Sequence, residues 1–146
     1  MAKVLYTAEA HVEGGRGHGH GRTQDGMLDV DIRAPRETGG EGDGTNPEEL
    51  FAVGYAACFE SALAGVGRRL KLDASDSRID STVSLSSGSA GAFHLAVHFD
   101  ITLPSIGDPE QAVDVVRGAE KSCPYSNATR GNIAHTYVVN GMPLTI

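Results

Sequence analysis

Apolar and polar residues alternate along several stretches of this chain and fall into helical periods along others. In "MLDVDIRAP" (27–35), Leu28, Val30 and Ile32 alternate with polar neighbours, the two-residue period of a half-buried strand. "KVLYTAEAHV" (3–12) alternates more loosely. The two segments flank a glycine-rich break and are expected to pair as a hairpin. "RETGGEGDGTNPEEL" then gathers glycines into a loop where Thr45 or Asn46 can cap a helix, with Pro47 at its first position and Glu48 and Glu49 in its first turn. From there to about Leu70, "FAVGYAACFESALAGVGRRL" is apolar nearly all round, which predicts a central, buried helix ending in Arg68, Arg69 and Lys71.

The second half repeats the theme. "SRIDSTVSLSSG" (77–88) and "FHLAVHFDITLP" (93–104) read as two long strands, the second with Phe93, Leu95, Val97, Phe99 and Ile101 on one face. "DPEQAVDVVRGAEKSC" (108–123) opens on an Asp-Pro cap signal and sets Ala112, Val115, Val116 and Ala119 on one face of an amphipathic helix. A last strand is expected at about 134–140. The order β-β-helix-β-β-helix-β is that of an α+β fold, antiparallel sheet packed on helices.

Composition narrows the setting. The 146 residues suit a single domain spanning 1–146, large enough to bury a core. A net charge of −7 with scattered basic residues argues against nucleic acid and anionic membrane surfaces. No signal-peptide h-region is apparent near the start, and no window is expected to reach the roughly 18 apolar residues of a membrane span, so a soluble, cytoplasmic protein is expected. "GGRGHGHGR" (14–22) reads as a solvated hairpin loop. His18 and His20 could offer two imidazoles, but no nearby Cys or Glu completes a metal-ligand spacing, and no metal is expected.

The chemistry of interest rests on two cysteines, Cys58 and Cys123. Cys123 opens "CPYSNATRGN", whose turn formers and polar side chains set the thiol near solvent or a cleft and point to reactivity. Cys58 lies mid-helix among Tyr55, Ala56, Ala57, Phe59 and Ala62, where a satisfied core thiol is the bland account. Only a thiolate is a good nucleophile, and a free Cys has a pKa of about 8.5, so any activating cation must arrive from elsewhere in the fold.

"GGR" (14–16), "GTNPEELFAVGYAACF" (44–59) and "CPYSNATRGN" (123–132) resemble, in order, the signature stretches of the organic hydroperoxide resistance (Ohr) proteins within the Ohr/OsmC family. The Asn-Ala-Thr-Arg run after Cys-Pro is similar to the Ohr branch. The resemblance implies an intertwined homodimer with two active sites at its interface. It also implies a thiol peroxidase that reduces organic hydroperoxides, alkyl and fatty-acid hydroperoxides among them, to alcohols. Cys58 would be the peroxidatic cysteine, Cys123 the resolving cysteine, Arg16 the guanidinium supporting the thiolate and Glu48 the carboxylate orienting Arg16. The implied reductant is a dihydrolipoyl group, and no cofactor is implied.

Two features sit awkwardly with that assignment. On a continuous helix Glu48 and Cys58 lie about 15 Å apart along the axis. Either the helix breaks near Gly54, or Arg16 serves one partner at a time, or a second chain contributes. The glycine-rich loop also holds Arg22, and the Cys123 motif holds Arg130, each an alternative cation. A redox sensor or binding module using the same cysteine pair without turnover is the competing function, and a small dimer with inert thiols and a metal-binding loop is a third.

Overall fold

The structure is a computed structural model that describes residues 2–146. It resolves into two compact units, one ending at Leu50 and one running from Phe51 to Ile146.

The first unit holds a three-stranded antiparallel sheet, β1 (Ala10–Glu13), β2 (His18–Thr23) and β3 (Asp29–Arg33), in the order β1-β2-β3. The segments expected to pair directly are therefore separated by a strand, and "GGRGHGHGR" supplies that strand rather than a loop. Its alternation is written in glycine: Gly19 and Gly21 occupy the covered side, and His18, His20 and Arg22 the open one. A Cβ at Gly21 would already touch Ile32 and Val12 at 3.4 and 3.7 Å, so the covered side has no room for a larger pattern residue. Gly14 and Gly15, at φ 81° and 65°, make the left-handed turn between β1 and β2 at little cost.

Thr45 extends the register beyond β3. Its N–H donates to the Asp31 carbonyl at 2.9 Å, and its own carbonyl accepts from the Arg33 N–H at 2.8 Å. The chain is thereby delivered to the start of α1 (Pro47–Leu70), where Asn46 Oδ1 accepts the Glu49 N–H at 2.8 Å as the cap and Thr45 Oγ1 donates to the Glu49 carboxylate at 2.9 Å. The 24-residue helix runs through Gly54 without a break, which removes the first of the three ways of reconciling Glu48 with Cys58.

In the second unit α1 buries Tyr55, Ala56, Phe59, Leu63, Val66 and Gly67, one stripe at helical spacing, rather than its whole circumference; Val53 is 72 % exposed. An 18-residue window of α1 reaches a mean hydropathy of 1.5, so on length and composition it does match a membrane span, contrary to the sequence reading; a third of that window is buried within the protein's own core.

A four-stranded sheet, β4 (Arg78–Ser87), β5 (Phe93–Thr102), β6 (Ala134–Val139) and β7 (Met142–Leu144), completes the architecture with α2 (Pro109–Ser122) and α3 (Pro124–Thr129). It is mixed rather than wholly antiparallel. β5 and β6 run parallel because the α2–α3 crossover carries the chain back to the end of the sheet where β5 begins before β6 starts. Val97, Phe99 and Ile101 line the core as the alternation predicted, whereas Phe93 lies beyond the helices' cover and is 69 % exposed. Asp108 caps α2 by accepting the N–H groups of Glu110 and Gln111, and Ala112, Val115, Val116 and Ala119 are buried against the sheet. The α+β class holds; β2, α3 and β7 are additions to the expected order.

Gly19 carries a measurable consequence. A Cβ there would run into the backbone carbonyl of Gly15 and crowd that of Glu13, neither of which can rotate away. Gly19→Ala should lower stability by about 1–3 kcal/mol, while Gly17→Ala, with open space around it, should stay within about 0.5 kcal/mol. Paired denaturant titrations test this; equal midpoints for the two variants would show that the hairpin relaxes freely.

Candidate functional site

The sulfur atoms of Cys58 and Cys123 lie 3.5 Å apart, both as free thiols. What brings them together is a break in the chain after α2. Pro124 cannot donate a backbone hydrogen bond, and its ring forces the preceding residue out of the helical region. Cys123 accordingly sits at φ −68°, ψ 124°, ending α2 through its N–H to the Ala119 carbonyl at 2.8 Å and starting α3 by accepting from the Asn127 N–H at 3.0 Å. The change of direction turns its side chain inward. Cys123 is fully buried, so the polar sequence around it does not place the thiol at the surface as expected. Cys58, the thiol that looked like core, is only half-buried and opens on a groove of about 530 Å³ walled by Ala62, Val66 and Pro124. The exposures of the two cysteines are the reverse of what their neighbours suggested.

Burial pushes the Cys58 thiol up from its ordinary pKa, and the adjoining Cys123 thiol adds to that; a hydrogen bond from the Tyr125 N–H works the other way. Tyr125 was not singled out from the sequence. Its backbone amide follows from the α3 turn, while its ring stacks on Phe51 at 6.0 Å between centroids.

Beneath the cysteines lies a buried polar network. The Tyr55 hydroxyl contacts Ser126 Oγ at 2.7 Å and His135 Nδ1 at 3.1 Å, and the Tyr137 hydroxyl reaches the same nitrogen at 2.9 Å. Ser126 is 1 % exposed, and His135 Nε2 is buried without a partner among the described residues. Burial, reinforced by His98, holds the His135 pKa down at about 4, so the ring is neutral near pH 7. Sequence periodicity gave no signal for this network, because its members come from α1, α3 and β6.

In the first unit Arg16 sits in the turn between β1 and β2, and its guanidinium forks onto the Glu48 carboxylate, with Nη1 to Oε2 at 3.2 Å and Nη2 to Oε1 at 3.1 Å. The Arg16 side chain remains 54 % exposed, so the pair adds little stability and chiefly fixes the direction of the fork. Arg22 instead pairs with Asp29 at 3.4 Å. Arg130 is committed to Glu120, whose carboxylate and backbone carbonyl it reaches at 2.7 Å each, clipping α3 to the end of α2. His20 lies between Asp31 and Asp29, at 3.0 and 2.7 Å, and the hydrogen bond to Asp31 leads in raising its pKa. Among the described residues no cluster of three or more His, Cys, Asp or Glu side chains is placed to hold a metal ion.

A family model described as OsmC-like protein matches residues 40–138. An organic hydroperoxide resistance protein of Xanthomonas axonopodis pv. citri is 47 % identical over 133 residues, which is 90 % of this chain and 92 % of that protein. The crystal structure of an organic hydroperoxide resistance protein from Legionella pneumophila is similar with a TM-score of 0.88 at 44 % identity, covering 94 % of this chain and 98 % of that one. The organic hydroperoxide resistance protein OhrB of Bacillus subtilis gives a TM-score of 0.84 at 41 % identity over 93 % and 99 %.

The buried imidazole makes stability pH-dependent in a defined window. Because the folded His135 pKa of about 4 lies below the ordinary 6.5, the unfolded chain takes up the proton first. The neutral ring's stabilisation is complete above about pH 6.5, is lost progressively down to about pH 4 and changes no further below it. Allowing for partial solvent screening, the loss is about 2 kcal/mol. Urea midpoints at pH 7 and pH 4.5 should therefore differ less in His135→Phe than in wild type. Parallel losses in both proteins would assign the acid sensitivity to other groups.

Proposed function

The chain belongs to the Ohr/OsmC family, and from that premise we propose that it is a thiol-dependent peroxidase that reduces organic hydroperoxides to alcohols. The relatives' names support a role in organic hydroperoxide detoxification. The observation that carries the finer reading is the sulfur pair, one thiol open to a groove and its partner buried 3.5 Å behind it.

The steps balance as follows. The Cys58 thiolate attacks one peroxide oxygen, the O–O bond breaks, and Cys58 becomes a sulfenic acid while the departing alkoxide takes a proton to become the alcohol. The Cys123 thiol then attacks the sulfenic sulfur, forming the Cys58–Cys123 disulfide and releasing water. A dithiol, a dihydrolipoyl group in this reading, reduces the disulfide by two exchange steps and leaves as its own cyclic disulfide. No metal or organic cofactor enters the scheme. A reducing compartment such as the cytoplasm would keep the resting thiols reduced.

Within the second unit burial and Cys123 hold the Cys58 proton on, so the reaction needs a cation. Arg16, its fork already oriented by Glu48, is the residue proposed to supply it. Assembly as a homodimer, two copies each bringing one site, belongs to the same reading. The apolar wall of the groove favours an alkyl peroxide over hydrogen peroxide, since each buried CH₂ contributes about 0.8 kcal/mol.

Two measurements test this. After one equivalent of cumene hydroperoxide, peptide mass spectrometry of wild type should show a Cys58–Cys123 crosslink. Cys58→Ser should consume no peroxide, and Cys123→Ser should react once and then climb toward sulfinic and sulfonic acid. Matching single-turnover behaviour in the two mutants would remove the division of roles, and a single turnover of wild type despite excess dihydrolipoamide would favour the redox sensor. In the second, Arg16→Ala should slow peroxide reduction by at least about a hundredfold and Arg22→Ala should leave it near wild type; the reverse ranking would transfer the role to Arg22.

A further inference from the structure

The groove at Cys58 continues along a single face of α1. Cys58, Ser61, Ala62, Gly65, Val66 and Arg69 line it in sequence, spaced three and four residues apart as a helical stripe requires. The stripe begins at a sulfur, passes over small and apolar side chains, and ends at a cation. Arg69 is exposed, and among the described residues no carboxylate pairs with it. Gly118 on α2 makes room for Val66, since a Cβ there would come within 2.7 Å of a Val66 methyl, and an Arg69 Nη lies beside the same spot at an ordinary contact distance of 3.5 Å. In a chain of net charge −7 an unpaired guanidinium at the end of an apolar groove is a selective anchor for an anion.

We propose that Arg69 is a specificity-determining residue that binds the terminal carboxylate of a long-chain hydroperoxide whose peroxide group lies at Cys58. This deepens the peroxidase reading and rests on it. The lengths agree. The backbones of Cys58 and Arg69 are separated by about 16 Å along the helix axis, the Arg69 side chain leans back toward Val66, and an extended hydrocarbon advances about 1.3 Å per bond of about 1.5 Å, so up to some twelve bonds join the two ends. A peroxide near the middle of a long fatty acid, or beyond it, meets that requirement, and a short-chain acid does not. The alkyl portion lies over Ala62, Gly65 and Val66, whose small or apolar side chains leave its path open, and the carboxylate completes two hydrogen bonds with a planar fork.

The test compares kcat/KM, with dihydrolipoamide as reductant and below aggregation concentrations, for 13-hydroperoxyoctadecadienoic acid and for its methyl ester, which differ in charge but scarcely in shape. Wild type should prefer the acid about five- to tenfold at low ionic strength, less at high salt. In Arg69→Gln the ratio should fall to about one, in Arg69→Glu it should drop below one, and Arg69→Lys should restore most of it. A ratio unchanged by Arg69→Gln, or one that Arg69→Glu fails to invert, would overturn the anchor. The uncharged tert-butyl hydroperoxide separates the two readings. If wild type consumes it yet treats acid and ester alike, the anchor alone fails; if wild type consumes none of the three, the peroxidase reading fails and takes the anchor with it.

Discussion

The candidate site depends on the interruption of one helix by Pro124. Without it α2 would run on, its side chains would keep their helical order, and Cys123 would follow the face it starts on. With it, Cys123 adopts an extended conformation between two helices and its thiol is aimed into the core at Cys58. The same turn delivers the Tyr125 amide to the Cys58 sulfur and Ser126 to the Tyr55 hydroxyl. Three groups that touch or support the site are thus set by a single backbone constraint, which Arg130 then secures by bridging α3 to Glu120.

A buried polar network is costly unless its members are satisfied. Here Tyr55, Ser126, Tyr137 and one nitrogen of His135 satisfy one another, while His135 Nε2 does not. The aromatic surroundings offset part of that cost: His135 stacks on Tyr137 at 4.0 Å and meets Phe99 edge to face at 4.6 Å. The result ties α1, α3 and β6 together directly beneath the cysteine pair. Apolar packing alone tolerates sliding between elements; a hydroxyl shared between Ser126 and His135 does not, because a small shift leaves a buried group unpaired.

Much of this was legible in the sequence where the information is local. The Asn46 and Asp108 caps, the buried stripe of α2, the period of β5 and the long course of α1 all follow from residues a few positions apart. The N-terminal strand β2 was not, because glycine has no side chain with which to show an alternating face, and a strand written Gly19-His20-Gly21 reads as a loop until its neighbours are known. The cysteine exposures were misjudged for a related reason. Local composition describes the segment, whereas burial of Cys123 is decided by a direction change and by what α1 and the sheet place around it. The Arg16–Glu48 pair came from family resemblance rather than spacing, and the register of Thr45 beside β3 supplies its physical reason, since it fixes where α1 begins.

The reversed exposures bear directly on the order of the chemistry. Two thiols in contact could each be oxidised first, and if both were open to the groove, peroxide could drive each of them to sulfinic acid before they met. In the proposed scheme, enclosing Cys123 removes that outcome, since of the two thiols only Cys58 lines the groove through which a hydroperoxide would arrive. In that scheme Cys123 would meet sulfur that is already oxidised, and from 3.5 Å the next bond would need only a small approach. The network under α3 matters to that scheme for the same reason: it would depend on a short distance between an accessible sulfur and an enclosed one, and rigid aromatic and hydroxyl contacts hold that distance better than a mobile loop would. Helix α1 carries several of these features along its length, with Glu48 in its first turn, the core stripe through Tyr55 and Phe59, and a second stripe that lines the groove from Cys58 to Arg69.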